Sequence, residues 1–229
     1  MSERRNKHGI GYKPFEHHAR RYDTWFDHKQ GRRIFPVEIA CLRKILPDLP
    51  RPWLEVGVGT GRFASALGIE EGIDPSKEVL KYAQQRGIRV RHGFAEKLPY
   101  ADWTFGAVFM IVTVCFLSDP GKAFRECARV LTPDGSLIIG LVPKDSPWGR
   151  MYAEKGKEGH PFYSVTTFYT CQDVIGIGGS QRFLLKEACS CLFESPGPHA
   201  DKLSPPRSGI IDNAGFVAMR FELQGRQRQ

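Results

Sequence analysis

Short apolar runs alternate along the chain with polar, turn-rich segments. Trp53 to Val58 is a nearly continuous apolar run of strand length. It enters three glycines at alternate positions, Gly57, Gly59 and Gly61, and then a short helical segment. Ile69 to Asp74 and Ile88 to His92 predict a second and a third strand. Phe105 to Leu117 predicts a central fourth strand, because it is apolar almost throughout, as a strand covered on both faces must be. Ser136 to Val142 and Leu184 to Phe193 predict two more, and Gly215 to Leu223 a last one, in which Val217, Met219, Phe221 and Leu223 alternate with Ala218, Arg220 and Glu222. Helical spacing fills the intervals. Val79, Leu80 and Ala83 follow the start signal Asp74-Pro75-Ser76, and Ala123, Phe124, Cys127, Val130 and Leu131 follow Asp119-Pro120. Upstream, Arg20 to Asp27 and Pro36 to Leu46 predict two further helices, the first presenting Tyr22, Trp25 and Phe26. Thr132-Pro133-Asp134-Gly135 reads as a turn, residues 143–163 as a loop or lid, Tyr163 to Ile177 as a helix, and 195–209 as a mobile Pro/Gly/Ser stretch. The strand–helix rhythm through residue 142 predicts a parallel sheet with helices on both faces.

The glycine spacing carries the chemistry. A strand–glycine turn–helix unit brings bare backbone to a ligand at the carboxyl end of a sheet, and the expected bend leaves its amides uncovered. A dinucleotide fingerprint needs glycines at offsets zero, two and five; from Gly57, offset five is the bulky Arg62, and the third glycine falls at offset four. Glu55 stands two before the first glycine. This Glu-x-Gly-x-Gly-x-Gly pattern resembles motif I of the class I S-adenosylmethionine-dependent methyltransferases. Asp74, ending the second strand 17 residues past Gly57, is placed to accept both hydroxyls of a ribose. By resemblance it is motif II. Gly93-Phe94-Ala95-Glu96-Lys97-Leu98-Pro99-Tyr100 is similar to motif III of the ubiquinone/menaquinone-type small-molecule methyltransferases, where Ala95 and Glu96 face adenine.

The resemblance implies S-adenosyl-L-methionine as cofactor and a Rossmann-like, doubly wound α/β fold. Its sheet is mostly parallel and seven-stranded, with an antiparallel last strand. The implied cofactor contacts are Glu55, Val56, Gly57, Val58, Gly59, Thr60 and Gly61 on the turn, and Asp74 with Pro75 after the second strand. Ala95 and Glu96 follow the third strand, and Met110 and Ile111 lie at the end of the fourth. Tyr22, in a Tyr-Asp-x-Trp core similar to the family's amino-terminal capping helix, lies near the methyl group and is the one catalytic candidate the resemblance offers. Two departures stand out. The family's Phe-Asp start of the fourth strand is Phe105-Gly106, and the polar residues after that strand are replaced by Val112, Thr113, Val114, Cys115 and Phe116, which removes an obvious proton acceptor.

Length suits one domain: a helical cap over 1–50, a cofactor core over 51–142 and a substrate side with the last strands over 143–229. Net charge is +8, and residues 1–51 hold 12 Lys and Arg against 6 Asp and Glu. A basic leading segment can meet an anionic substrate or a nucleic acid, but no basic stripe interleaved with aromatics accompanies it, and a solvated surface is the favoured reading. No run is long and apolar enough to span a membrane, and no secretory signal is visible at the amino terminus. The six cysteines are scattered and read as reduced thiols, consistent with a cytoplasmic location, and Cys189-Ser190-Cys191 lacks the partner pair of a metal knuckle. His17, His18, His28 and His160 are the histidines able to act as bases. The expected activity is methyl transfer from S-adenosylmethionine to a small-molecule acceptor. The alternatives are a non-catalytic cofactor-binding scaffold, or a methyltransferase acting on RNA or protein.

Overall fold

The computed structural model describes residues 11–46, 48–197 and 203–225. The elements in chain order are α1 (Lys13–Trp25), α2 (Lys29–Arg43), β1 (Trp53–Val56), α3 (Arg62–Leu67), β2 (Glu71–Asp74), α4 (Lys77–Gln85), β3 (Arg89–His92), β4 (Phe105–Ile111), α5 (Pro120–Val130), β5 (Leu131–Leu141), α6 (Pro147–Lys157), α7 (Cys171–Ser180), β6 (Phe183–Cys191), β7 (Arg207–Ser208) and β8 (Phe216–Leu223). Short 3-10 turns cover Val114–Phe116 and Tyr163–Val165.

The strands form one sheet in the order β3-β2-β1-β4-β5-β8-β6-β7. β1 pairs in parallel with β2 and β4, β2 with β3, and β4 with β5, while β8 runs antiparallel between β5 and β6. The expected architecture is therefore present. The described residues hold eight strands instead of seven, and the extra one, β7, is a two-residue pairing of Arg207 and Ser208 with Ser190 and Cys189.

Every β4 residue is buried, and the pleat divides them between two cores. Phe105, Val108 and Met110 pack with Phe124 and Cys127 of α5 and Val174 of α7. Ala107, Phe109 and Ile111 pack with Leu42 of α2, Phe63 of α3 and Leu80 of α4. The order reverses at β1, whose neighbours β2 and β4 leave in opposite directions along the sheet, so a crevice opens at the carboxyl end of β1.

Several boundaries differ from expectation, each for a physical reason. α2 begins at Lys29, upstream of the expected Pro36, and keeps Pro36 inside. Its buried stripe (Ile34, Glu38, Ile39, Cys41, Leu42) spans the proline, so packing overrides the ~3 kcal/mol penalty of an internal proline. Gly31 makes the close approach possible, since a Cβ there would sit 2.2 Å from the Trp25 carbonyl oxygen of α1. β4 stops at Ile111 although the apolar run continues, because Val112 turns left-handed (φ 53°) and redirects residues 113–116. Residues 132–135 form no free turn: they lie within β5 as an irregularity between the pairs Phe105–Leu131 and Ala107–Ser136. Within the expected loop 143–163, α6 starts at a Ser146-Pro147 signal, with Ser146 Oγ accepting from the Gly149 amide at 2.9 Å. The helix expected from Tyr163 starts instead at a Thr170/Asp173 capping box. The polar leader up to residue 10, and most of the stretch 195–202, lie outside the described residues.

Candidate active site

The glycine turn is built from inside. The amides of Gly57 and Val58 both donate to the Ile73 carbonyl of β2, at 2.8 and 3.1 Å, and the Gly61 amide donates to the Val58 carbonyl at 2.8 Å. The Gly59 amide donates to Asp74 Oδ2 at 3.0 Å. This corrects the expected uncovered amides: the turn satisfies its own donors, as buried backbone must. What it offers a ligand is bare Cα surface. All three glycines have positive φ, at 75°, 52° and 78°. They do different jobs. A Cβ on Gly57 would meet the Thr113 side chain at 2.3 Å, and one on Gly61 would meet Ile88 at 2.5 Å and the Ala83 backbone of α4 at 2.9 Å. These two allow close packing. A Cβ on Gly59 would meet only the Tyr22 ring, at 3.5 Å, so Gly59 is the glycine that faces open space.

That space is a cavity of about 500 Å³, within the range of roughly 300–1,000 Å³ common for small-molecule sites. At one end lie Gly57, Gly59, Asp74, Pro75, Ala95 and Glu96, with Ile111 along the side and Tyr22 above. Glu55, Val56, Val58, Thr60, Gly61 and Met110 do not line it. For Val56 and Met110 the reason is pleat parity: both point into the core under α5 and α7. Glu55 lies 2% exposed, with Oε2 unpartnered among the described residues. Burial, opposed by the Ala64 amide and seconded by Asp74, holds its carboxyl well above the usual range.

Asp74 is 8% exposed. Its Oδ1 accepts from the Ser76 amide at 2.8 Å and its Oδ2 from the Gly59 amide. Burial pushes its pKa to about 6 against those two amides, with Glu16 adding to the rise. Each oxygen keeps a lone pair for a further donor. Glu96 turns its Oε1 onto the Ser118 and Asp119 amides at 3.0 and 3.2 Å and still lines the cavity. Phe94, 43% exposed, extends that wall beside Ala95. These features fit an S-adenosyl nucleoside: a glycine with open space above it, a carboxylate with spare lone pairs, and an apolar wall.

The methyltransferase domain family matches residues 54–139. A crystal structure from Thermotoga maritima, described as an S-adenosylmethionine-dependent methyltransferase and a possible histamine N-methyltransferase, superposes with a TM-score of 0.84 at 33% identity, covering 92% of this chain and 98% of that one. The chain belongs to the class I S-adenosylmethionine-dependent methyltransferases. An uncharacterised protein of Methanocaldococcus jannaschii is 41% identical over 209 residues, covering 91% of this chain and 98% of its own. One from Mycobacterium tuberculosis is 38% identical over 201 residues, covering 88% and 70%. The likeness reaches the class and its cofactor, S-adenosylmethionine, and not the ubiquinone/menaquinone subgroup.

In this methyltransferase the cap is bolted to the cofactor turn by charge. Arg62, the residue that argued against a dinucleotide, reaches back from α3 to Asp23 of α1 at 3.0 Å and to Asp27 at 2.6 Å. Arg86 meets the same Asp23 at 3.0 Å and donates to the Thr60 carbonyl at 2.8 Å. Burial works against the Asp23 carboxylate, yet Arg62 and Arg86 hold it below the usual range. Glu16 adds a second tie, its Oε2 accepting from Ser76 Oγ at 2.7 Å and from the Glu78 amide at 3.3 Å, at the start of α4. Sequence reasoning missed Glu16 and Arg86, because Ser76 lies 60 residues from the first and Asp23 lies 63 from the second.

The other end of the methyltransferase cavity is aromatic. Phe162, 7% exposed, packs its ring 5.0 Å from Phe15 and 5.8 Å from Tyr22. His160 stacks on Tyr163 at 4.4 Å, and Tyr163 on Tyr152 at 4.6 Å. Of the four histidines named above as candidate bases, His28 and His160 line the cavity, while His17 and His18 are exposed on α1. Burial, with Arg21 and Lys155 nearby, keeps His160 below its ordinary pKa and therefore neutral. After β4, the Thr113 hydroxyl donates to the Ile111 carbonyl at 3.1 Å, and burial pushes the Cys115 thiol up to about 12. Neither is a base. Besides Asp74 and Glu96 at the cofactor end, one further acid lines the cavity, Glu38 of α2. Its signal was in the chain: Glu38 interrupts the apolar i, i+4 stripe of Ile34 and Leu42.

Proposed function

We propose that this methyltransferase moves the methyl group of S-adenosylmethionine to a small-molecule acceptor held at the aromatic end of the cavity, by in-line displacement. The observation that carries the reading is continuity: one space joins Gly59 and Asp74 to Phe162 and Tyr163, under a cap fastened by Asp23 and Arg62. In this reading Asp74 takes the ribose hydroxyls, Phe94, Ala95 and Glu96 take the adenine, and Gly57 and Gly59 face the amino-acid portion. Tyr22 stands between the two ends. Burial dominates the environment of its hydroxyl, and the charges of Glu55, Asp74, Tyr163 and Glu38 add to the effect. Burial holds its phenol far above the ordinary range, so Tyr22 shapes and orients, and does not ionise.

The bound sulfonium supplies an electrophilic methyl carbon. The chain's task is then to exclude water and to align an attacking atom, which can account for on the order of 7–11 kcal/mol of barrier. The domain plan follows: residues 51–142 hold the cofactor, while α1, α2 and residues 143–168 shape the acceptor. Incubation of the full chain with methyl-labelled S-adenosylmethionine and either a fractionated small-metabolite extract, total RNA or total protein tests this. Label is expected in a small molecule. Label confined to RNA or protein overturns the reading.

A further inference from the structure

The carboxyl of Glu38 has no task in the reading above. The residue is 6% exposed, it lines the cavity, and among the described residues its side chain makes no hydrogen bond and no ion pair. The charged and titratable side chains that share the cavity with Glu38 at this end include Arg21 and Tyr22 of α1, His28, Tyr152 and Lys155 of α6, His160 and Tyr163. Arg21 and Lys155 are the cations among them, and among the described residues neither pairs with Glu38. Lys155 lines the same cavity with its Nζ 5.8 Å from the centre of the Tyr152 ring, and does not pair with Glu38. A buried acid without a partner is costly to a fold that gains nothing from it. Burial and then Cys41 push Glu38 up to about 8. A neutral or anionic guest leaves that cost in place. A cationic guest removes it, and the faces of Tyr22, Tyr152 and Tyr163 add their own attraction for a cation. Tyr22, whose ring lies 3.5 Å from where a Gly59 Cβ would stand, lines the same cavity as Glu38, so that cavity runs from the cofactor turn to this carboxyl.

From this geometry we infer that the methyl acceptor is a primary or secondary amine, which Glu38 holds as its ammonium and then deprotonates. The inference rests on the small-molecule reading above and names its acceptor class. The step balances. The ammonium gives one proton to the Glu38 carboxylate, and the freed nitrogen lone pair forms a bond to the methyl carbon as the carbon–sulfur bond breaks. The sulfide leaves neutral with that electron pair, and the positive charge passes to the methylated nitrogen. Product leaves as a cation, and Glu38 returns its proton to water.

Tyramine and histamine serve as amine probes, with 4-ethylphenol and 4-methylimidazole as counterparts that lack the ammonium. Each is titrated calorimetrically into the full chain saturated with S-adenosylhomocysteine, and each is tested for methyl transfer by mass spectrometry. The amines are expected to bind at least tenfold more tightly than their counterparts and to gain methyl on nitrogen. Glu38→Gln is expected to abolish the preference while S-adenosylhomocysteine affinity stays within twofold, and to remove the acidic limb of the kcat profile. Equal binding of amines and counterparts, no N-methylation of either amine, or a preference that survives Glu38→Gln overturns the inference. Transfer to 4-ethylphenol with no amine preference would sink it and leave the small-molecule reading standing. Transfer to RNA or protein alone would sink both.

Discussion

The two walls of the cavity are made of different material. The cofactor wall is backbone: strand ends, a turn whose amides are internally bonded, and glycines whose missing side chains leave room for Thr113, Ile88 or a ligand. The acceptor wall is side chain: rings of Phe15, Tyr22, Phe162 and Tyr163 on a helix and on irregular segments, packed edge to face or stacked. A backbone wall tolerates almost no substitution, because φ and close approach fix it. A side-chain wall can be re-cut without touching the sheet. This difference explains how one cofactor site can serve many acceptors across a class.

The sharpest way to break the contrast is Gly57→Val. With φ at 75° and Thr113 2.3 Å from the new Cβ, both strain and overlap fall on the core. The chain should lose about 3 kcal/mol or more of stability and all measurable affinity for S-adenosylhomocysteine. Thermal unfolding and calorimetric titration read the two losses. A stable, binding-competent variant would mean that the wall is not rigid.

Asp74→Ala comes next. It removes the carboxylate that steadies the Gly59 and Ser76 amides. Hydrogen bonds to charged groups are worth about 1.5–3 kcal/mol, so S-adenosylhomocysteine affinity should fall on the order of 100-fold. The pH dependence has a definite sign. The Asp74 pKa is raised to about 6, and ribose hydroxyls donate to the ionised form, so affinity should weaken as pH falls through about 6. In Asp74→Asn that dependence should vanish. The same raised value means that ionising Asp74 costs the fold some stability as pH climbs from the usual carboxylate range to about 6.

Asp23 behaves in the opposite way and belongs to the other wall. Its pKa is lowered by Arg62 and Arg86, so its contribution is complete at neutral pH and is lost as pH drops below the usual carboxylate range. Asp23→Asn should unfasten α1 from the turn, leaving Arg86 without its carboxylate and Arg62 with only the exposed Asp27. Cofactor affinity should weaken about tenfold, roughly 1.4 kcal/mol, and hydrogen exchange in α1 should quicken while that in β1 and β4 does not. Equal quickening in the sheet would show that the cap and the core open as one unit.

The backbone wall was legible in the sequence and the side-chain wall was not, for the same physical reason. A turn at Gly57-Val58-Gly59 needs positive φ at fixed spacing, and Asp74 must end the neighbouring strand; both constraints are local and leave a pattern. One inference failed even there. Uncovered amides follow from a glycine turn considered alone, whereas Ile73 and Asp74, contributed by β2, cover them. The acceptor wall depends on pairings that no local pattern records: Phe15 against Phe162, Asp23 against Arg62, Glu16 against Ser76. Pro36 misled for a related reason. Its propensity argues for a helix start, but the stripe from Ile34 to Leu42 must stay on one helix to cover the sheet. Glu38 lies on that stripe as an acid among apolar neighbours, and only the packing of α2 against the sheet shows that it lines the cavity.

The mildest expected effect is also the one most particular to the acceptor wall. Phe162 is buried against Phe15, Tyr22 and His160, on a segment that no strand holds. Phe162→Leu keeps it apolar at similar volume and removes only ring shape, a change that usually costs under about 1.5 kcal/mol. S-adenosylhomocysteine affinity should stay within twofold, because the hydrogen bonds of Asp74 and of the glycine turn run to β2, Ser76 and Arg86 and not to Phe162. The KM for the acceptor should rise about threefold, with kcat for the saturated enzyme changing less. If cofactor affinity fell instead, the aromatic cluster would be supporting Tyr22 over Gly59, and the two walls would be one coupled surface.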